Sequence, residues 1–231
     1  MEPGAFFEAA TLILPLILAI VCHEVAHGYV AGLLGDGTAR EQGRLTLNPF
    51  AHVDLFGTVI LPGMMALAHL PVFGWAKPVP VNPFRLRGGR HGMMWVGAAG
   101  PACNFVLAAL AAVALGLLVR SGAGSDPQGP ITLGRFAFDN CLNFLSLNLF
   151  LALFNLLPVP PFDGSHIIEG LLPRGLAARY ARMRRHAMLL MIALLLLPPV
   201  LFKVSIVSKL VMPPFEWVLA RYLGLAQAVV G

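Results

Sequence analysis

Long apolar runs with almost no charge restrict this chain more than any other feature of its sequence. Between Phe6 and Leu34 the only charged residues are Glu8 and Glu24. Met93 to Val119 carries none, Phe138 to Leu157 carries Asp139 alone, and Ala187 to Phe202 carries none. A helix that crosses the hydrocarbon core of a bilayer needs about 20 such residues. The composition agrees: 58% of the residues are hydrophobic and 12% are charged, where a soluble domain has about 25% charged. The mean hydropathy is +0.78. These numbers predict an all-α polytopic membrane protein and exclude an ordinary soluble domain.

The run from Phe6 does not read as a signal peptide. Its leader, MEPGAFFEAA, has two acids and no Lys or Arg, whereas a signal peptide starts basic. It predicts a retained helix over 5–34, stopped by Gly35 and Gly37. The alternation Arg44-Leu45-Thr46-Leu47 predicts a short strand. The run 55–72 is interrupted by Pro62 and Gly63, and the Pro-rich stretch 74–83 should be extended. Helices follow over 93–120, 138–157 and 187–202. The apolar tail 204–230 is interrupted by Lys209, Pro213, Pro214 and Glu216, and either crosses or lies at the interface. The expected architecture is a bundle of about four to six transmembrane helices. To this it adds a re-entrant hairpin and a short β-like segment near the active site. It forms one membrane-embedded domain over 1–231, with its core in 5–170 and C-terminal helices in 187–231.

The net charge of +5 does not point to nucleic acid. The basic residues cluster in short loops between apolar runs, which is the signature of membrane topology. Cys22, Cys103 and Cys141 all lie in apolar segments without a CxxC pair, so they read as packing residues.

The chemistry lies in 21-VCHEVAHGYV-30. On a helix, His23 and His27 share one face a turn apart, so two imidazoles can grip one zinc ion while Glu24 reaches a water beside it. Charged and imidazole groups inside an apolar helix are costly and therefore functional candidates, or else a polar cluster that ties helices together. Zinc of this kind needs a third protein ligand. The best candidate is Asp163, in 155-NLLPVPPFDGSH-166, just after a helix stopped by prolines. The other reading of Asp163 is a turn-former before Gly164.

With 23-HEVAH-27, 155-NLLPVPPFDG-164 and 97-GAAGPACN-104 in hand, the chain resembles the site-2 protease family of intramembrane zinc metalloproteases. The resemblance covers roughly residues 15–170. It departs where Ser165 stands in place of a second Gly, and it is similar to the minimal branch without a PDZ or CBS domain. The resemblance implies one Zn2+ per chain held by His23, His27 and Asp163, with Glu24 as general base toward a water that zinc activates. It implies substrates that are transmembrane proteins or peptides, cut within or near their membrane spans. Asn155 corresponds to the family's polar residue ahead of the ligand Asp. It stabilises the oxyanion or orients the substrate carbonyl, or else only bonds helix to helix. Gly97, Ala98 and Gly100 read as small residues that let helices approach. Asn104 reads as a hydrogen bond across helices. His52, His69, His91, His166 and His186 read as loop or interfacial residues.

A topology follows. His23 stands about 27 Å along its helix, at about 1.5 Å per residue, near the far end of a crossing. Asp163 follows the far end of the 138–157 helix. For the two to meet, the chain must cross an even number of times between them, so 55–72 should turn back rather than cross. Lys77, Arg85, Arg87 and Arg90 then share a side with Arg174, Arg179, Arg182, Arg184 and Arg185, and that side should be the cytosol. The N-terminus would lie outside, in a prokaryotic inner membrane. Two rival readings stay open: a catalytically silent scaffold, and a metal transporter using the same ligands. The sequence names neither the substrate nor the oligomeric state.

Overall fold

The structure is a computed structural model and describes residues 3–67, 74–124, 130, 132–202, 205 and 207–231. No strand occurs among them. Helix α1 spans Pro3–Leu33, α4 Arg90–Arg120 and α5 Leu133–Asn155. These three are long and apolar enough to cross a membrane. Between them lie α2 (Thr38–Glu41) and α3 (Leu61–Leu67). After α5 come α6 (Asp163–Leu171), α7 (Arg174–Ala181), α8 (Ala187–Phe202) and α9 (Met212–Val230). Helix α8 is apolar throughout but has only 16 residues.

The three long helices form one antiparallel–parallel set. Val96 meets His27 and Asn104 meets Ala19, so α4 runs antiparallel to α1. Asn104 also meets Asn148, and Ala111 meets Cys141, so α5 runs antiparallel to α4. Thr11 meets Asn143 and Phe7 meets Phe136, so α5 is parallel to α1. The two long helices α4 and α5 thus carry the chain away from and back to the end of α1 that bears His23.

Close approach of α4 to its neighbours rests on small residues. Ala108, Ala111, Ala112 and Leu115 of α4 are buried against Leu145 and Leu149 of α5 and Ala226 of α9. A Cβ at Gly116 would lie 2.4 Å from the Ala226 carbonyl oxygen, so only glycine fits there. Helix α9 thus packs into the core through α4 and α5 rather than standing apart. Pro15 sits inside α1 and has no N–H for the Thr11 carbonyl one turn back. The Asn143 side-chain amide of α5 donates to that carbonyl at 2.8 Å. A neighbouring helix thus satisfies the group that proline leaves unpaired in lipid. The cysteines are free, and two bridge helices weakly through Cys103 to the Cys22 carbonyl and Cys141 to the Ala111 carbonyl.

The segment after α2 leaves the bundle and returns to where it began. It makes a 3-10 turn at Pro49–His52, a π-helical turn at Leu55–Ile60, and then α3. On its return, Trp75 N–H donates to the Gly57 carbonyl at 3.1 Å and Lys77 N–H to the His52 carbonyl at 2.8 Å. Both ends therefore lie side by side, which is the geometry of a hairpin. The expected bend at Pro62–Gly63 is corrected: both residues lie inside a helix that runs without a break from the π-helical turn Leu55–Ile60 into α3, so the chain is not reversed there. The returning half of the expected 55–72 hairpin falls partly outside the described residues.

The stretch 74–82 is neither helix nor strand, and Pro83 opens a turn. The strand expected at Arg44–Leu47 is absent. The Arg44 guanidinium, not its backbone, reaches the Lys77 carbonyl at 2.9 Å, and Pro78 and Pro80 have no N–H to give to a ladder. A polar clasp ties this stretch to the end of α1. Asp36, buried, accepts from Thr38 N–H (3.1 Å), the Thr38 hydroxyl (2.5 Å) and Asn82 N–H (2.6 Å). Arg85 lies 3.8 Å from Asp36 and forks onto Glu41 at 2.6 and 2.7 Å. Burial opposes the Asp36 charge, but the Thr38 and Asn82 donors and Arg85 outweigh it and hold its carboxyl below the usual range.

Candidate metal centre

His23 and His27 stand one turn apart on α1, with Glu24 beside the first. Asp163 is the first residue of α6, brought opposite them by the proline-rich turn after α5. Its Oδ2 lies 3.0 Å from His23 Nε2 and 3.3 Å from His27 Nε2, and the two Nε2 atoms lie 3.1 Å apart. The three residues form a group whose ligand atoms all fall within 4.8 Å of one another. The sequence separated them by some 140 positions, and the fold brings them together.

The proton arrangement decides what this group can hold. His27 Nδ1 faces the Val96 carbonyl at 2.7 Å. A carbonyl only accepts, so Nδ1 carries a proton, and in the neutral ring Nε2 offers a lone pair. His23 Nδ1 faces Asn104 Oδ1 at 2.5 Å. The Asn104 amide nitrogen is turned away, toward Asn148 Oδ1 (2.7 Å) and the Ala19 carbonyl (3.3 Å). His23 therefore also donates from Nδ1 and presents a bare Nε2. Asp163 Oδ2 is buried and has no hydrogen-bond partner. With both rings neutral, three lone-pair atoms face one another, an arrangement that repels itself unless a proton or a metal cation sits between. Two imidazoles and one carboxylate form a donor set that suits zinc and leave a fourth position open. The residues present fit the metal.

Helix α4 forms the wall of this site. Val96, Gly100 and Asn104 recur every fourth residue and line one face. A Cβ at Gly100 would lie 2.5 Å from His23 Cε1 and 2.5 Å from His27 Nε2. A Cβ at Gly97 would lie 2.9 Å from His166 Cβ and 3.1 Å from the Asp163 carbonyl oxygen. The small residues expected to serve helix packing therefore also admit the metal ligands.

Glu24 Oε2 accepts the Val79 N–H at 2.8 Å, which joins the proline-rich stretch to the carboxylate next to the ligands. Asn155, the last residue of α5, donates its side-chain amide to the Leu151 carbonyl of its own helix at 3.0 Å. His166 is not a free ligand: its Nδ1 accepts from the Arg184 guanidinium at 2.8 Å, and Arg184 also pairs with Glu169. Burial, then the Arg184 charge, push His166 down to about 4, so its ring is neutral. His52 is buried and faces the Thr46 carbonyl, as a loop-anchoring residue does. His69 lies outside the described residues.

Sequence reasoning missed the Val96 carbonyl, because a backbone group leaves no mark in a sequence. It read Asn104 only as a helix tie. The available signal was its spacing of four from Gly100 and eight from Val96.

A family model described as Peptidase family M50 matches residues 126–198, the part that contains Asp163. The chain is 38% identical over 187 residues to "Putative zinc metalloprotease YwhC" of Bacillus subtilis (strain 168), covering 81% of this chain and 80% of that one. It is 29% identical over 183 residues to Rip2 of Mycolicibacterium smegmatis, which carries the same description, covering 79% of this chain and 65% of that one. Rip2 of Mycobacterium tuberculosis (strain H37Rv) is 28% identical over 200 residues, covering 86% and 71%. No solved structure matches at a significant level.

Proposed function

The chain belongs to peptidase family M50, the site-2 protease family, and from that premise we propose that it is an intramembrane zinc endopeptidase. Its substrates would be transmembrane proteins or peptides, cut within or near their spans. The observation that carries this reading is the convergence of His23 Nε2, His27 Nε2 and Asp163 Oδ2, all within 4.8 Å of one another, in a buried pocket of the bundle. Zinc held by these residues would supply a Lewis acid and lower the pKa of a nearby water.

The chain's own residues supply the rest. Glu24 takes the proton of the attacking water and returns one to the leaving amine. The Val79 N–H keeps its carboxylate aimed, at 2.8 Å. The Asn155 amide donates to the substrate carbonyl oxygen, exchanging its bond to Leu151. A helical substrate hides its carbonyls, so it must unwind before attack. The proline-rich stretch 74–83 beside Glu24 favours that form by pairing with it. Its Trp75, Lys77 and Val79 N–H groups are already bonded, so pairing there would rest on its carbonyls.

The placement of charge supports an active site open toward the cytosol and an N-terminus outside. Arg90 donates to the Leu172 carbonyl at 2.5 Å and shares a groove with Arg174, so the two basic clusters lie at one end of the bundle. Basic loops face the cytosol, in a cell membrane that this multi-pass chain would enter.

The test has two parts. Zinc per chain is counted for the purified protein and for His23→Ala and Asp163→Ala. Cleavage of transmembrane peptides in reconstituted vesicles is followed for the protein and for Glu24→Gln. About one zinc per chain, lost in both ligand variants, with cleavage abolished by Glu24→Gln at unchanged zinc content, is the expected result. Zinc retained in Asp163→Ala, or cleavage surviving Glu24→Gln, would sink the reading in favour of a scaffold or a carrier.

A further inference from the structure

Asn104 and Asn148 are the two asparagines with no solvent exposure at all, in the apolar middle of two helices. A buried amide in such surroundings costs free energy unless every group is bonded. Here each finds its partners. Asn148 Nδ2 donates to the Phe144 carbonyl of its own helix at 2.7 Å, which fixes the amide so that Oδ1 faces α4. Asn104 Nδ2 donates to that oxygen at 2.7 Å and to the Ala19 carbonyl of α1 at 3.3 Å. With both its N–H groups committed, Asn104 can turn only Oδ1 toward His23, and it does so at 2.5 Å. The chain of bonds runs from the backbone of α5 through two side chains to the ring of a metal ligand.

Resting on the proposed zinc site, we propose that Asn104 is a positioning residue for His23, and that Asn148 acts through it. Asn104 keeps the His23 proton on Nδ1, and so keeps the Nε2 lone pair aimed at the metal. Val96 does the same for His27 from two turns earlier on α4. A merely structural pair of asparagines would tie α4 to α5 without regard to which way either amide faced. The ordered sequence of donors and acceptors, ending on a ligand ring, is what a tautomer lock requires. Because the lock is anchored on α5, the helix that also delivers Asp163, displacement of α5 relative to α1 would loosen two of the three ligands together.

The experiment measures the zinc dissociation constant of the full chain in detergent, by competition with a chelator. The absorption spectrum of the cobalt-substituted protein is recorded in parallel. The series is wild type, Asn104→Ala, Asn148→Ala, the double variant, Asn104→Asp and, as control, Asn140→Ala. The Asn140 amide donates to the Phe136 carbonyl of its own helix, away from the ligands. We expect Asn104→Ala to bind zinc about 10–100-fold more weakly, with an altered cobalt spectrum. Asn148→Ala should weaken binding in the same sense. The double variant should be no weaker than Asn104→Ala, because the two residues act in series. Asn104→Asp keeps an acceptor against Nδ1 and should recover much of the affinity, whereas Asn140→Ala should match wild type. Wild-type affinity and cobalt spectrum in folded Asn104→Ala, or independent, additive losses in the double variant, would overturn the proposal while leaving the zinc site standing. Absence of zinc from the wild type would instead remove the function on which it rests.

Discussion

Replacing Gly100 by alanine adds a single methyl group, yet the structure leaves no room for it. The new carbon would sit 2.5 Å from His23 Cε1, 2.5 Å from His27 Nε2 and 2.6 Å from His23 Nε2. Comfortable contact begins near about 3.5 Å, so something must yield by about 1 Å. The rings cannot simply back away, because both are tethered to α4 itself through Asn104 and the Val96 carbonyl. Nor can α4 withdraw without carrying those tethers and breaking its packing on α1 and α5. A displacement of about 1 Å far exceeds the ~0.2 Å tolerance of a metal–nitrogen bond. At a catalytic site a shift of that size costs about 100-fold in rate, or about 2.7 kcal/mol at 1.36 kcal/mol per decade. The assay is zinc per chain together with cleavage in vesicles, for Gly100→Ala and for the control Gly32→Ala. Gly32 has nothing within 4 Å of a Cβ, and alanine there should be neutral or stabilise α1 by up to about 1 kcal/mol. A Gly100→Ala protein with full zinc and wild-type cleavage would refute the packing of α4 against the ligands.

Two further predictions test the frame around the site. A Cβ at Gly164 would lie 2.2 Å from the Leu156 carbonyl oxygen and 2.6 Å from that of Leu157, both backbone atoms with little freedom. Gly164→Ala should therefore shift Asp163 and lower zinc affinity by at least tenfold, and an unchanged dissociation constant would show that the turn can relax. Asp36→Asn should lower the melting temperature of the detergent-solubilised protein at neutral pH, because it removes the charge that faces Arg85 and leaves one acceptor oxygen where Thr38 and Asn82 use two. Its folded pKa lies below the unfolded value of about 3.9. The stabilisation is therefore complete above that value and is lost as the pH falls through the folded pKa. The gap between wild type and Asp36→Asn should be constant from neutrality to about pH 5 and close at more acid pH. A gap independent of pH down to the acid limit would mean that the Asp36 charge contributes nothing.

Much of this molecule was legible in its sequence, because membrane helices are specified locally. A run without charge long enough to span lipid has to be a helix whatever surrounds it, and the boundaries of α1, α4 and α5 fell within a few residues of expectation. His23, Glu24 and His27 declared themselves by spacing on one helix. Asp163 could be proposed because two ligands need a third, and because it stands in a proline-rich turn just after an apolar helix.

What the tertiary structure decided were the features that depend on two segments meeting. The strand expected at Arg44–Leu47 did not form, because pairing needs a partner with free N–H groups and Pro78 and Pro80 have none. Glu24 found the Val79 N–H, a backbone partner 55 residues away that no side-chain pattern marks. The proton positions on His23 and His27 were set by an amide and a carbonyl on α4. Sequence determines which residues could bind a metal through the chemistry of their side chains. Which nitrogen carries the proton, and whether a glycine leaves space for the ring, depends on how the neighbouring helix is placed to within a fraction of an ångström, and that is fixed only when the bundle packs.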